Sequence, residues 1–374
     1  MNRRKFTRHG ELSADRQTHA YHDLQGPGLI LEDTLSGREL VRIQPTEQWC
    51  RYAWAPDGQS LVTTTSRQQG DTSSSDRHFQ FWERATGKEC MTIRLGPLRA
   101  DRGLQFSADG RLMAAFAVGG RLQVWDAATG KELWHCQGPG PGTYAQVLLF
   151  APDGKSLITG QDDSTILVWK LPDNLWQRHH PRRSANVEEL ENWWAALAGA
   201  DAYKAHEAIW SLVDAAEDAV GFLAPRLKPA ESIAAQSLRQ ALANLDSDQF
   251  FVRQAAEKQL AGWQERAEPA LRDALKDKPS LEKRRRIERI LATPPAVVTS
   301  PDVLRHLRAA RVLEYVAASG SDVTRPANDA PRLAAIGLLK KLAGGDPDAR
   351  LTQEVRAALG RLKTQRDPCW TPSR

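Results

Sequence analysis

The feature that most restricts what this chain can fold into is a segment that recurs around a tryptophan. Phe81-Trp82-Glu83-Arg84-Ala85-Thr86-Gly87-Lys88-Glu89 is followed by Val124-Trp125-Asp126-Ala127-Ala128-Thr129-Gly130-Lys131-Glu132, and Leu167-Val168-Trp169-Lys170 closes the series. The three tryptophans stand 43 and 44 residues apart. Apolar and polar residues alternate on the approach, as Leu122 and Val124 do before Trp125, which predicts a half-buried strand. The residues from Asp126 to Gly130 then supply turn chemistry, so the unit is a hairpin. Each repeat opens with a second turn signal: Ala55-Pro56-Asp57-Gly58, Ser107-Ala108-Asp109-Gly110 and Ala151-Pro152-Asp153-Gly154.

Short strands repeating every 40–45 residues or so are the mark of a β-propeller, one small antiparallel sheet per repeat. A weaker copy precedes them at Gly28–Leu40, where Glu32 stands five residues before Gly37 as Trp125 does before Gly130. It reads as a partial blade entered midway. Residues 1–25 are polar and without periodicity and read as a disordered leader. Arg67–Arg77 reads as a surface loop inserted into the first full repeat. Three full blades and a partial one, over 26–172, fall short of the roughly 4–8 that usually close a propeller. Such an arc exposes sheet edges that invite pairing. Either further blades lie upstream of residue 1 or a second chain completes the ring, so self-association through the open edges is an expectation.

These residues resemble WD40-repeat proteins of bacterial type over about 28–171. In that family an Asp six residues before the Trp often braces the tight turn. Asp76 and Asp163 match that position and Gly119 does not. The family's Gly-His dipeptide is absent, so its usual hydrogen-bond network does not transfer. The resemblance assigns structural positions to Asp76, Trp82, Trp125, Asp126, Asp163 and Trp169, and implies a role in binding other proteins.

Beyond Leu171-Pro172 the pattern changes. Residues 173–186 read as a linker, and from Val187 the apolar positions follow a period near 3.6. Val187, Leu190, Trp193 and Leu197 share one helical face, and Asp201 is placed to cap a second helix. A third helix is expected over 216–228, with others over 280–292, 301–317, 331–343 and 350–363. Asp246–Leu260 and Ala267–Leu275 resemble the paired helices of a HEAT-type repeat, so 187–364 reads as an all-helical, HEAT-like domain. It resembles the helical region that follows WD40 repeats in many large bacterial proteins. Residues 317–330 read as an irregular insertion and 365–374 as a flexible tail.

The formal charge of +5 is spread evenly. Residues 1–184 hold 23 Lys and Arg against 20 Asp and Glu, which argues for solubility more than for recognition of nucleic acid. The densest basic run is Lys283, Arg284, Arg285 and Arg286 with Arg289, a candidate phosphate or nucleic-acid patch. Glu282 and Glu288 lie at pairing distance along the same helix, so a solvated, ion-paired face is preferred. The four cysteines form no Cys-x-x-Cys pair, and no apolar run follows the basic N-terminus, so a reducing, cytoplasmic setting without a membrane anchor is expected. His19-x-x-His22 and His179-His180 lack companion ligands, and Gly138–Gly142 lacks the Lys-Ser/Thr of a phosphate loop. No cofactor, metal or catalytic grouping is expected. The resulting reading is a non-catalytic scaffold for unidentified protein partners. Two alternatives stand beside it: a regulatory fragment of a larger bacterial enzyme or signalling protein, such as a kinase-linked WD40 protein, and weak nucleic-acid binding through 283–289.

Overall fold

The computed structural model describes residues 10–23, 26, 28–34, 37–45, 49–66, 77–96, 102–116, 121–138, 145–152, 154–173, 175, 183–263, 266–292, 298, 300–318 and 329–366. Four antiparallel sheets come first, each a meander of consecutive strands. The first holds β1 (Gly10–Leu12), β2 (Thr18–His22), β3 (Leu29–Asp33) and β4 (Glu39–Ile43). The second holds β5 (Trp49–Trp54), β6 (Ser60–Ser66), β7 (Arg77–Glu83) and β8 (Glu89–Gly96). The third holds β9 (Arg102–Phe106), β10 (Leu112–Phe116), β11 (Arg121–Asp126) and β12 (Glu132–Gln137). The fourth has three strands, β13 (Ala145–Phe150), β14 (Ser156–Gln161) and β15 (Ile166–Lys170). The first strands of successive sheets neighbour one another.

Two expectations are corrected here. The polar stretch read as a disordered leader contains β1 and β2, and Thr18, His19 and Ala20 within it are buried. Among the described residues the three-stranded sheet is the last, and the first has four strands. The turn between β1 and β2 explains why the sequence hid it. Arg16, at φ 58°, holds the left-handed position that Gly58 and Gly110 hold in the corresponding turns of the second and third sheets. In all three the amide of that residue donates to the carbonyl three residues back. Ser13-Ala14-Asp15 repeats the Ser107-Ala108-Asp109 of the third sheet, but without the glycine the Asp-Gly signal is missing.

Consecutive sheets stack face on face. Ala20, Leu31 and Val41 of the first meet Leu61 and Trp82 of the second. Val62, Phe81 and Met91 on the other face of the second meet Met113 and Trp125 of the third. Ala114 and Val124 on the third's far face join Leu148 and Leu157 of the fourth, with Trp169 packed alongside. Each tryptophan thus lies where one sheet covers the next.

Ten helices follow among the described residues: α1 (Val187–Ala198), α2 (Ala202–Asp214), α3 (Ala216–Leu223), α4 (Ala235–Asn244), α5 (Phe250–Trp263), α6 (Glu268–Lys276), α7 (Leu281–Ala292), α8 (Pro301–Ala318), α9 (Ala330–Leu342) and α10 (Arg350–Arg366). Asn186 starts α1 with a reciprocal capping box to Glu189, and Asp201 caps α2 by accepting from the amides of Tyr203 and Lys204. α8 is the hub. It is buried from Leu307 to Ala317 and touches α1, α2, α3, α9 and α10. A linear solenoid, in which each repeat meets only its neighbours, has no such helix. Here the expected stack gives way to a cluster built around one buried rod. α4 to α7 stand apart with a small core of their own, including Ala241, Leu260, Leu271 and Ile287. The main helical core is continuous with the third and fourth sheets, so 173–186 does not separate two independent cores.

Candidate functional site

Two places on this fold collect chemistry: the seam where helices meet the ends of the sheets, and the outer face of the fourth sheet.

At the seam, α8 and α10 lie across the turns of three sheets. Arg308 grips Glu83 with two parallel bonds of 2.7 and 2.8 Å, and its remaining nitrogen donates to the carbonyls of Leu197 and Gly199. One turn on, Arg311 meets Asp57 at 2.6 Å and donates to Ser60 Oγ, while Tyr315 donates its hydroxyl to the same Asp57 at 2.9 Å. From α10, Arg361 holds Glu314 at 2.7 and 2.8 Å, Glu354 at 2.9 Å and Asp15 at 3.0 Å. Arg84 reaches Glu354 at 2.5 Å and Thr18 at 3.1 Å. His206 Nε2 donates to the Ala128 carbonyl at 2.9 Å.

These side chains are buried, so each charge has lost its water and depends on its partner. Burial pushes the Asp57 carboxyl up, but Arg311 and the Gln59 amide outweigh it and hold the group below the usual range. Glu83 follows the same logic, with Arg308 outweighing burial. Glu314 does not. Burial lifts it to about 7 against the pull of Arg361, and Asp57 and Glu354 add to the rise. Burial, with Arg311 nearby, pushes His206 down to about 4, so its imidazole is neutral at physiological pH. The carboxylates of Asp15, Asp57, Glu83, Glu314 and Glu354 are held here by Arg84, Arg308, Arg311 and Arg361, and a further buried guanidinium, Arg111 of the third sheet, donates to the Tyr315 carbonyl at 3.1 Å.

None of these seam residues was singled out from the sequence as a pairing site. One signal was there. Arg308, Arg311 and Glu314 recur every third residue inside the stretch 307–317, whose other residues are all apolar but for Tyr315, on a face that would be expected to be buried.

The positions singled out in advance fare differently. Asp76 lies outside the described residues. Asp163 is exposed, and its carboxylate accepts from the Thr165 amide and hydroxyl at 2.9 and 2.6 Å, within its own turn. The indole of Trp169 donates instead to Thr159 Oγ at 3.0 Å, and Trp82 donates to Thr63 in the matching geometry at 2.9 Å. Ala115 stands at the corresponding place beside Trp125, whose ring packs edge-on against Phe79. Asp126 is buried and closes its turn through the Ala128 amide and the Thr129 hydroxyl. Glu83 occupies the same position one sheet earlier, closing its turn through Thr86 while also binding Arg308.

The basic run falls on α7. Arg284 pairs with Glu288, Arg286 with both Glu282 and Glu257, and Arg289 with Glu257 of α5. Arg286 is buried. A cleft of about 480 Å³ between sheets and helices is lined by both signs of charge, with Arg38 and Arg272 on Glu268 and Arg84 on Glu354. Among the described residues no group of three or more His, Cys, Asp or Glu is arranged to hold a metal, and no helix is long and apolar enough to cross a membrane.

The second place is the fourth sheet. Pairing across β13, β14 and β15 sets Leu149, Ile158 and Val168 in one row and Val147, Gly160 and Ile166 in the next, all on the face away from the third sheet. Val147, Leu149, Val168 and Ile166 are 50%, 45%, 67% and 73% exposed. This is where the chain matches a known family: residues 137–170 fit the description "WD domain, G-beta repeat". Comparison with curated proteins found no match. Among solved structures, a crystal structure of the computationally designed Ika4 protein is similar at 18% identity and TM-score 0.31, covering 42% of this chain and 86% of that one. Hydrazine synthase of Kuenenia stuttgartiensis is similar at 18% identity and TM-score 0.32, covering 40% of each chain.

Proposed function

We propose that this chain is a non-catalytic protein-interaction component: an arc of WD40-type propeller blades with one end closed by a helical domain. The propeller reading is supported by the repeat period, the stacked meanders, the adjacent first strands and the tryptophans between sheets. The helical domain takes up the end that carries the β5–β6 and β7–β8 turns, through Asp57 and Glu83. Partner binding therefore belongs to the blade surfaces that the helices leave uncovered. One observation carries this reading. The sheet that matches the WD40 repeat shows solvent an aliphatic face with no charge at its centre, and patches of that kind mark interaction sites on soluble proteins. A reducing, cytoplasmic setting belongs to the same proposal, in keeping with the free, buried thiol of Cys90, which burial pushes up to about 12. Nucleic-acid binding through α7 is not proposed, since Arg284, Arg286 and Arg289 are ion-paired.

The test is cross-linking mass spectrometry on the tagged full chain isolated from its native cells. Lys155 and Lys170 lie together at one end of the fourth sheet and supply the reactive amines. Cross-links from these lysines to another polypeptide, lost in Val168→Lys, are expected. Cross-links confined to the helical region would overturn the reading.

A further inference from the structure

Resting on that reading, we infer that the open face of the fourth sheet is occupied by a second copy of this chain, related by a two-fold axis and stacked sheet on sheet. The three interfaces inside the molecule establish the pattern. The face formed by Ala20, Leu31 and Val41 is covered by the next sheet, and so are those formed by Val62, Phe81 and Met91 and by Ala114 and Val124. In the fourth sheet the corresponding row is Leu149, Ile158 and Val168, and no further sheet follows among the described residues. The series of established interfaces runs up to this face and stops.

Head-to-tail stacking of copies is blocked at the other end. The outward face of the first sheet carries Tyr21 and Ile30, which are 4% and 5% exposed and therefore already covered. A second copy must then use the fourth sheet itself, and a patch that meets its own equivalent closes as a dimer instead of growing into a filament. The charges around the patch agree. Asp163 sits in the turn at one end of the β14–β15 hairpin and Lys170 lies at the other end, on the aliphatic face. Reversing strand direction across the interface sets Lys170 of each copy toward the Asp163 turn of the other, and lays the row Leu149, Ile158 and Val168 of each copy on the row Val147, Gly160 and Ile166 of the other, without a charge at the centre.

Three strands about 4.8 Å apart and about six residues long offer a face of roughly 300 Å². That is below the ~800 Å² per partner of a standard interface, so the association is weak, with a dissociation constant in the micromolar range or above.

Sedimentation equilibrium of the full chain from about 1 to 200 μM tests this range. The expected result is a reversible rise from monomer to dimer mass, with no larger species. Val168→Lys, at a position already exposed, should weaken the dimer at least tenfold while circular dichroism and melting temperature hold. Lys170→Glu should weaken it as well, and adding Asp163→Lys should restore it, which a merely structural role for either residue would not do. A chain that stays monomeric throughout, or a dimer indifferent to Val168→Lys, overturns the inference. A monomer that still cross-links through Lys170 to a foreign protein overturns the second copy as occupant and leaves the interaction reading standing. Loss of both signals removes both.

Discussion

Arg16 shows how one residue can conceal an element. Its left-handed conformation, φ 58°, costs an ordinary side chain roughly 1–2 kcal/mol. Gly58 and Gly110 adopt it freely in the matching turns. The arginine side chain is exposed, so nothing in the core depends on it. Arg16→Gly should therefore raise unfolding free energy by about 0.5–1 kcal/mol, the greater freedom of glycine in the unfolded chain offsetting part of the relief. Urea titration reads this directly, and a loss of stability would mean that the arginine is held by contacts outweighing the strain. The second and third sheets were legible because their turns spell Asp-Gly. The first sheet's opening hairpin was not, because Arg16 stands where the glycine would be, although Ser13 and Asp15 order the turn as Ser107 and Asp109 do in the third sheet. The bracing of Trp82 and Trp169 by Thr63 and Thr159 was likewise missed. A threonine in a strand looks like strand propensity, and only the register reveals it as a hydrogen-bond partner.

At the scale of the element, α8 decides most of the architecture. Its length was readable from Pro301 at the first helical position and a long run of helix formers. Its role was not, because the acidic partners of Arg308 and Arg311, Glu83 and Asp57, lie more than 200 residues away in sequence. Removing one member of a buried pair strands the other without water. Arg308→Ala should cost on the order of 3–5 kcal/mol in a denaturation experiment. The double change Arg308→Met with Glu83→Gln should cost clearly less, because no charge is left unpaired. Equal losses in the two variants would mean that packing, not the ion pair, carries the contact.

Glu314 on the same helix adds a pH dependence. Its carboxyl titrates near 7 in the folded chain against an ordinary 4.5, so its contribution to stability is complete below about pH 4.5 and is lost as the pH rises through about 7. Asp57 and Glu83 are shifted the other way. Their contributions are present above their ordinary values of 3.8 and 4.5 and are lost as acid takes the pH down through their depressed values. Melting temperature should therefore fall both toward pH 8 and below about pH 4. Glu314→Gln should flatten the alkaline limb and leave the acid limb unchanged. An alkaline limb that persists in the variant would assign it to another group.

On the scale of the whole molecule, the sequence divides at 173–186, where strand alternation gives way to helical periodicity, and that change of secondary structure is real. Independence of the two parts does not follow from it. Apolar residues of the third and fourth sheets share one core with the main helical cluster, and buried ion pairs cross the seam at several points. Periodicity reports what each element buries but not against what, so a shared core is invisible to it. Calorimetry should accordingly show sheets and main helical cluster melting in a single transition. α4 to α7, with a separate core, should exchange their amides sooner. Two well-resolved transitions that divide near residue 180 would contradict the shared core. The order of these parts along the chain has a consequence in time. Arg308 follows Glu83 by 225 residues. At synthesis rates of about 5–20 residues per second, the second sheet waits about 10–45 s for the guanidinium that its carboxylate requires. Through that interval the nascent sheets carry unneutralised acids at one end and bare apolar faces at their sides. The newborn chain is therefore most exposed to proteases and to its neighbours just before its last helices emerge.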